Sequence, residues 1–132
     1  CCALGAQMVL HPRLTIAPGD ARAAGWPEVV GAAPDAILFK SVLHDWPEDQ
    51  ALDMIDRALA HLAPGGRLIV CERGAFDGGA MPLSMTANLV FAHFYRPPEK
   101  YREFFASRGM GQLTQSDVQL DMPFHIVSAV KI

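Results

Sequence analysis

The sequence has few cysteines, no long apolar run and no surplus of positive charge, and each shortfall removes a class of function. Three cysteines, Cys1, Cys2 and Cys71, cannot all pair within one chain, and none stands in a C-x-x-C or Cys/His spacing that would hold zinc. No metal centre is expected, and a reducing, cytoplasmic setting is. Apolar stretches such as residues 35–43 and 83–95 are interrupted by Lys40, Asn88 and His93 and are too short to cross a bilayer, so no membrane span is expected. Eleven Lys and Arg against 14 Asp and Glu leave a formal charge of -3, which gives a polyanion nothing to bind; nucleic acid is not an expected partner. What is present is a globular composition, 51% apolar and 19% charged over 132 residues. A chain of that size buries about two thirds of its unfolded surface as one domain.

Period and punctuation place the elements. Residues 13–17 read as a short strand closed by Pro18 and Gly19, and residues 35–42 are nearly continuous apolar, as a strand covered on both faces is. The connection between them is broken by Gly25, Pro27 and Gly31 and has room for one short helix. After His44 the clearest helix begins: Ala51, Leu52, Ile55, Ala58, Leu59 and Leu62 recur at the helical period. Pro47 suits its first turn, Glu48 and Asp49 its positive end, and Pro64, Gly65 and Gly66 stop it. Residues 67–71 form a second buried strand, so strand, helix and strand follow in the pattern of a parallel sheet. A helix is expected over residues 83–94 and another after Pro97 and Pro98, with Tyr101, Phe104 and Phe105 inward and Gly109 as its stop. Residues 124–132 read as a final strand, paired with one near 113–120.

Ligands of open α/β sheets gather beyond the carboxyl ends of the strands. Two segments emerge there: Leu43-His44-Asp45-Trp46-Pro47-Glu48 and Glu72-Arg73. If their strands are neighbours, His44 and Glu72 share a rim, and the carboxylate would fix the imidazole tautomer and leave the other nitrogen free to take a proton. Plainer readings stand beside this one: His44 as a loop residue, Asp45 as a helix cap, Glu72 and Arg73 as a surface ion pair, and Trp46 as a core aromatic. Gly19-Asp20 reads as a turn or as a carboxylate aimed at a ligand. Lys40, inside an apolar strand, calls for a partner if its ammonium is buried.

Taken together, G-D, then D-A-I-L-F-K-S-V-L-H-D-W-P-E-D, then L-A-P-G-G-R-L-I-V-C-E, resemble the catalytic domain of the S-adenosylmethionine-dependent O-methyltransferases of the caffeate and hydroxyindole type and their bacterial relatives. The likeness runs from about Arg13 to the C-terminus and includes R-P-P-E-K-Y-R-E-F-F, similar to that family's R-T-x-x-E-F helix. It implies an α/β fold, the Rossmann-like class I methyltransferase sheet without its first strands, with residues 1–132 as the C-terminal portion of a catalytic domain. It also implies His44 as general base, Glu72 as the residue that orients it, and Asp45 beside the base. Gly19, Asp20, Ala21, Lys40 and Trp46 would contact the cofactor S-adenosylmethionine, Asp20, Ala21 and Trp46 around the adenine. Met85 and Asn88 would line the seat of a small hydroxylated substrate of aromatic type. The family's glycine-rich loop, the acidic residue after its second strand and its N-terminal dimerisation domain have no counterpart here, and Tyr95 stands where many plant members carry a second carboxylate. Self-association through a bare strand edge, or a missing N-terminal part, is therefore expected. The alternative is a non-catalytic remnant or assembly subunit that keeps the fold and binds the cofactor weakly or not at all. A dinucleotide-dependent oxidoreductase is disfavoured because no dinucleotide loop is present.

Overall fold

A computed structural model of the chain describes residues 8–23, 32–73, 96–119 and 123–132. Its centre is a sheet of four strands in the order β3-β4-β6-β5, with β3 (Ala36–Lys40), β4 (Arg67–Arg73), β5 (Gly111–Gln119) and β6 (Pro123–Val130). The β3–β4 pair is parallel, and β6 runs antiparallel to both of its neighbours. Two helices, α1 (Glu48–His61) and α2 (Pro98–Ser107), pack on the sheet. A separate hairpin joins β1 (Met8–His11) to β2 (Leu14–Ile16). The expected strand near Leu14 thus finds its neighbour in the residues just before it. The helix expected over residues 83–94 lies outside the described residues.

The core gathers on one face of the sheet. Phe39, Leu68, Val70, Val127 and Ala129 alternate with outward residues along their strands and meet Ala51, Met54, Ile55 and Ala58 of α1 and Tyr101, Phe104 and Phe105 of α2. Among the described residues both helices lie on that face. This corrects the expectation that residues 35–42 are covered on both faces, since Phe39 is buried and Leu38 is 56% exposed; among the described residues β3 is also an edge strand.

The α1 helix starts and stops for local reasons. Pro47 accepts the first helical N–H, from Ala51, and Glu48 and Asp49 sit at the positive end of the dipole. At the other end Lys131 donates to the carbonyls of Leu59 and Leu62, supplying both a cation and a donor to an end rich in unpaired acceptors. Gly65 turns the chain at φ 77, a conformation costly for any residue with a Cβ. Gly66 is needed for space instead, since a Cβ there would fall 2.8 Å from the Ala63 carbonyl oxygen and from the Leu62 side chain. The tight turn lets the Gly65 N–H donate to the Lys131 carbonyl and the Gly66 carbonyl accept the Lys131 N–H, both at 2.8 Å, which ties the start of β4 to the end of β6.

Candidate active site

The parallel register places Lys40 opposite Cys71, so the residues that follow both strands leave the sheet side by side. Ser41 still donates to the Cys71 carbonyl at 3.0 Å, then turns out of the sheet at φ 54. A non-glycine residue pays roughly 1 kcal/mol or more for that conformation, so the surroundings must hold it. The chain then forms a 3-10 turn, Leu43–Asp45, which carries His44.

His44 and Glu72 are 6% and 3% exposed. The Nδ1 of His44 lies 2.5 Å from Oε2 of Glu72, and the Leu43 N–H donates to Oε1 at 3.0 Å. Both carboxylate oxygens are thereby engaged, one by the base candidate and one by the backbone that carries it. An ionised carboxylate only accepts, so the shared proton belongs to Nδ1, and in the neutral ring Nε2 is the acceptor. Burial and partners rule out Glu72 as a surface ion pair. Asp45 caps nothing by its side chain; its Oδ1 lies 3.2 Å from Nε2, with the side chain 46% exposed. Nε2 of the neutral ring and Asp45 are both acceptors, so this contact becomes attractive when the ring takes a second proton.

Asp20 and Trp46 are brought together by Arg22, a residue the sequence reading did not single out. The Arg22 backbone N–H and guanidinium both donate to Asp20, at 2.9 Å and 2.8 Å, and the guanidinium lies 3.9 Å from the Trp46 ring centroid. The guanidinium beside Asp20 holds its carboxyl below the usual range through hydrogen bonds. Arg57 of α1 donates to the Arg22 carbonyl at 2.5 Å, which fastens this loop to the helix. Gly19 is exposed on the same loop, and Ala21 and Trp46 pack half-buried against the core. An i, i+2 acid and arginine is a signal the sequence held, but only the fold shows that their ion pair stacks on Trp46.

Lys40 does not join this group. It is exposed rather than buried, since it points to the face opposite Phe39, and its ammonium stands 5.3 Å from the Phe124 ring centroid. Beside it, burial pushes the Cys71 thiol up, while the Lys40 charge pulls it the other way and the Glu72 charge adds to the rise. Because the thiolate is the nucleophile, Cys71 should alkylate more slowly at pH 8 than a cysteine in the unfolded chain, and Lys40→Met should slow it further. Mass spectrometry of the tryptic peptide containing Cys71 reads this; equal rates in the two proteins would refute the coupling.

Arg96 and His125 also went unmarked as site residues. Arg96 is 8% exposed and reaches the turn that carries His44, with bonds to the Leu43 and Trp46 carbonyls. His125 pairs across the sheet with Glu72 on one side and Asp117 on the other, and its Nδ1 lies 2.5 Å from Asp117 Oδ1. The expected substrate contacts Met85 and Asn88 lie outside the described residues. Among the described residues no cluster of three or more His, Cys, Asp or Glu side chains could hold a metal, and no helix is long and apolar enough to cross a membrane.

Comparison with known proteins identifies the family. The O-methyltransferase domain family matches residues 6–110. Demethylspheroidene O-methyltransferase of Rhodobacter capsulatus is 31% identical over 112 residues, which are 79% of this chain and 27% of that protein. Aclacinomycin 10-hydroxylase RdmB of Streptomyces purpurascens is 32% identical over 69 residues, 52% of this chain and 17% of that one. Human N-acetylserotonin methyltransferase, solved with S-adenosylmethionine, superposes with a TM-score of 0.60 at 20% identity over 86% of this chain and 32% of that one, a likeness of fold. The chain thus spans between 17% and 32% of the length of these relatives. With a family match over most of its length and an α/β sheet of the class I methyltransferase kind, the chain belongs to the O-methyltransferase family that uses S-adenosylmethionine.

Proposed function

We propose that this chain is the base-bearing part of an O-methyltransferase that methylates a hydroxyl of a small aromatic molecule. The observation that carries the reading is the buried His44–Glu72 pair at 2.5 Å, with the second Glu72 oxygen bonded to the backbone of the same turn. His44 Nε2 takes the hydroxyl proton, and the freed oxygen is the nucleophile of an in-line displacement. Glu72 keeps Nδ1 protonated and the ring oriented, so the acceptor lone pair stays at Nε2. Asp45, at 3.2 Å from that nitrogen, offsets the charge the ring gains. S-adenosylmethionine, when bound, supplies a methyl group already activated by a sulfonium charge, so the protein needs mainly proximity and a proton acceptor.

The residues present suit the adenine end of that cofactor. Trp46 offers an aromatic face on which a planar cation already stacks, and Asp20 offers an exposed carboxylate beside it for an exocyclic amine. Gly19 and Ala21 border the same loop. Lys40, the last residue of β3, is exposed at the rim, and its ammonium beside Phe124 would be within reach of a polar group of the cofactor.

A second reading, in which the fold is kept without methyl transfer, draws support from the relative named as a hydroxylase. Labelled S-adenosylmethionine and a panel of phenols, given to the protein that carries this chain, separate the two. Labelled aryl ether supports methyl transfer; binding of S-adenosylhomocysteine with no product from any phenol supports the second reading.

A further inference from the structure

The turn that carries His44 is poorly secured by its own backbone. Its internal bonds, Asp45 N–H to Val42 and Trp46 N–H to Leu43, are both 3.2 Å long, and a single 3-10 turn has weak intrinsic stability. It also follows Ser41 in a left-handed conformation. Two outside groups make up the difference. Glu72 takes the Leu43 N–H from the β4 side. Arg96, two residues ahead of α2, takes the carbonyls: Nη1 donates to Leu43 at 2.9 Å and Nη2 to Trp46 at 2.7 Å. These carbonyls flank His44 and Asp45, and the two donors belong to one rigid planar fork. The grip therefore sets the distance across the turn as well as its place. Both peptide groups of Leu43 are then held from opposite sides, by groups far apart in sequence.

We propose that Arg96 is a positioning residue for His44. It holds the turn so that Nδ1 stays seated on Glu72, and it needs a guanidinium to do so, because an ammonium is a point donor that cannot span both carbonyls. The functional weight of this grip rests on His44 being the base; the grip itself does not.

The test is nuclear magnetic resonance of the ring proton on His44 Nδ1 in the 132-residue chain, its exchange with water serving as the readout. Arg96→Met should speed that exchange by about tenfold or more, since the seated state is no longer enforced. Arg96→Lys should fall between the two. The general stability of the sheet, read from exchange of β4 and β6 amides, should change far less. Unchanged Hδ1 exchange in Arg96→Met would overturn the proposal. If that variant does not fold, Arg96→Lys decides in the same way, and failure of both to fold would make Arg96 a general packing residue and overturn it too. The two readings fail separately. Full methyl transfer by His44→Gln would remove the base and leave the grip standing, whereas unchanged Hδ1 exchange would remove the grip and leave the base standing.

Discussion

Replacing His44 by glutamine is expected to lower methyl transfer by about a hundred- to ten-thousandfold in the protein that carries this chain, with cofactor affinity little changed. Glutamine keeps a polar group of similar reach, so the buried Glu72 retains a donor, while the lone pair that accepts the hydroxyl proton is lost. The effect should fall on kcat more than on KM, because proton removal belongs to the transition state rather than to binding. His44→Ala should lose about as much turnover and more stability, since it leaves the carboxylate of Glu72, 3% exposed, without its ring partner. Steady-state kinetics of both variants, with calorimetry for S-adenosylhomocysteine, checks this. An equal fall in affinity and turnover would point to a damaged cofactor site instead.

The largest expected loss of stability comes from α2. Phe105 is fully buried in the core formed by α1, α2 and the sheet, beside Tyr101, which meets Phe104 edge-on at 5.9 Å between centroids. Removing a buried phenyl ring costs about 3–5 kcal/mol, part from lost transfer energy and part from the cavity left. A domain holds only about 5–15 kcal/mol in all, so Phe105→Ala should leave the chain near the edge of folding. Urea titration followed by circular dichroism measures it. Phe105→Leu, which refills most of the volume, should restore much of the loss, and a shift below 1 kcal/mol for Phe105→Ala would mean that α2 is not docked as described. Because Arg96 stands just ahead of α2, loosening this helix should also loosen the turn of His44.

The parts of the fold that could be read from the sequence are those fixed by local period. Residues 48–61 show a helical stripe, and Gly65 and Gly109, at φ 77 and φ 69, fall where the helices stop. His44 and Glu72 could be paired in advance because parallel strands joined by a helix deliver their carboxyl ends to one rim. What escaped depends on contacts between distant segments. Arg96 bonds to residues about fifty positions away, and no local pattern announces that. The stacking of Arg22 on Trp46 joins two loops, and His125 meets Asp117 through antiparallel register. The two-faced cover expected for residues 35–42 failed for a related reason: an apolar run looks the same whether one or both faces of its strand are covered, and only the packing shows Phe39 buried and Leu38 exposed.

The central claim, that His44 and Glu72 act as one unit, is tested most directly by a double-mutant cycle on turnover with His44→Gln, Glu72→Gln and the pair. Glu72→Gln keeps the shape and one accepting oxygen but removes the charge opposite Nδ1, so its own loss should be the smaller. Once the base is gone its orienting carboxylate has nothing left to orient, and the double variant should be little worse than His44→Gln alone. Losses that multiply in full, so that the two free-energy changes simply add, would contradict the account.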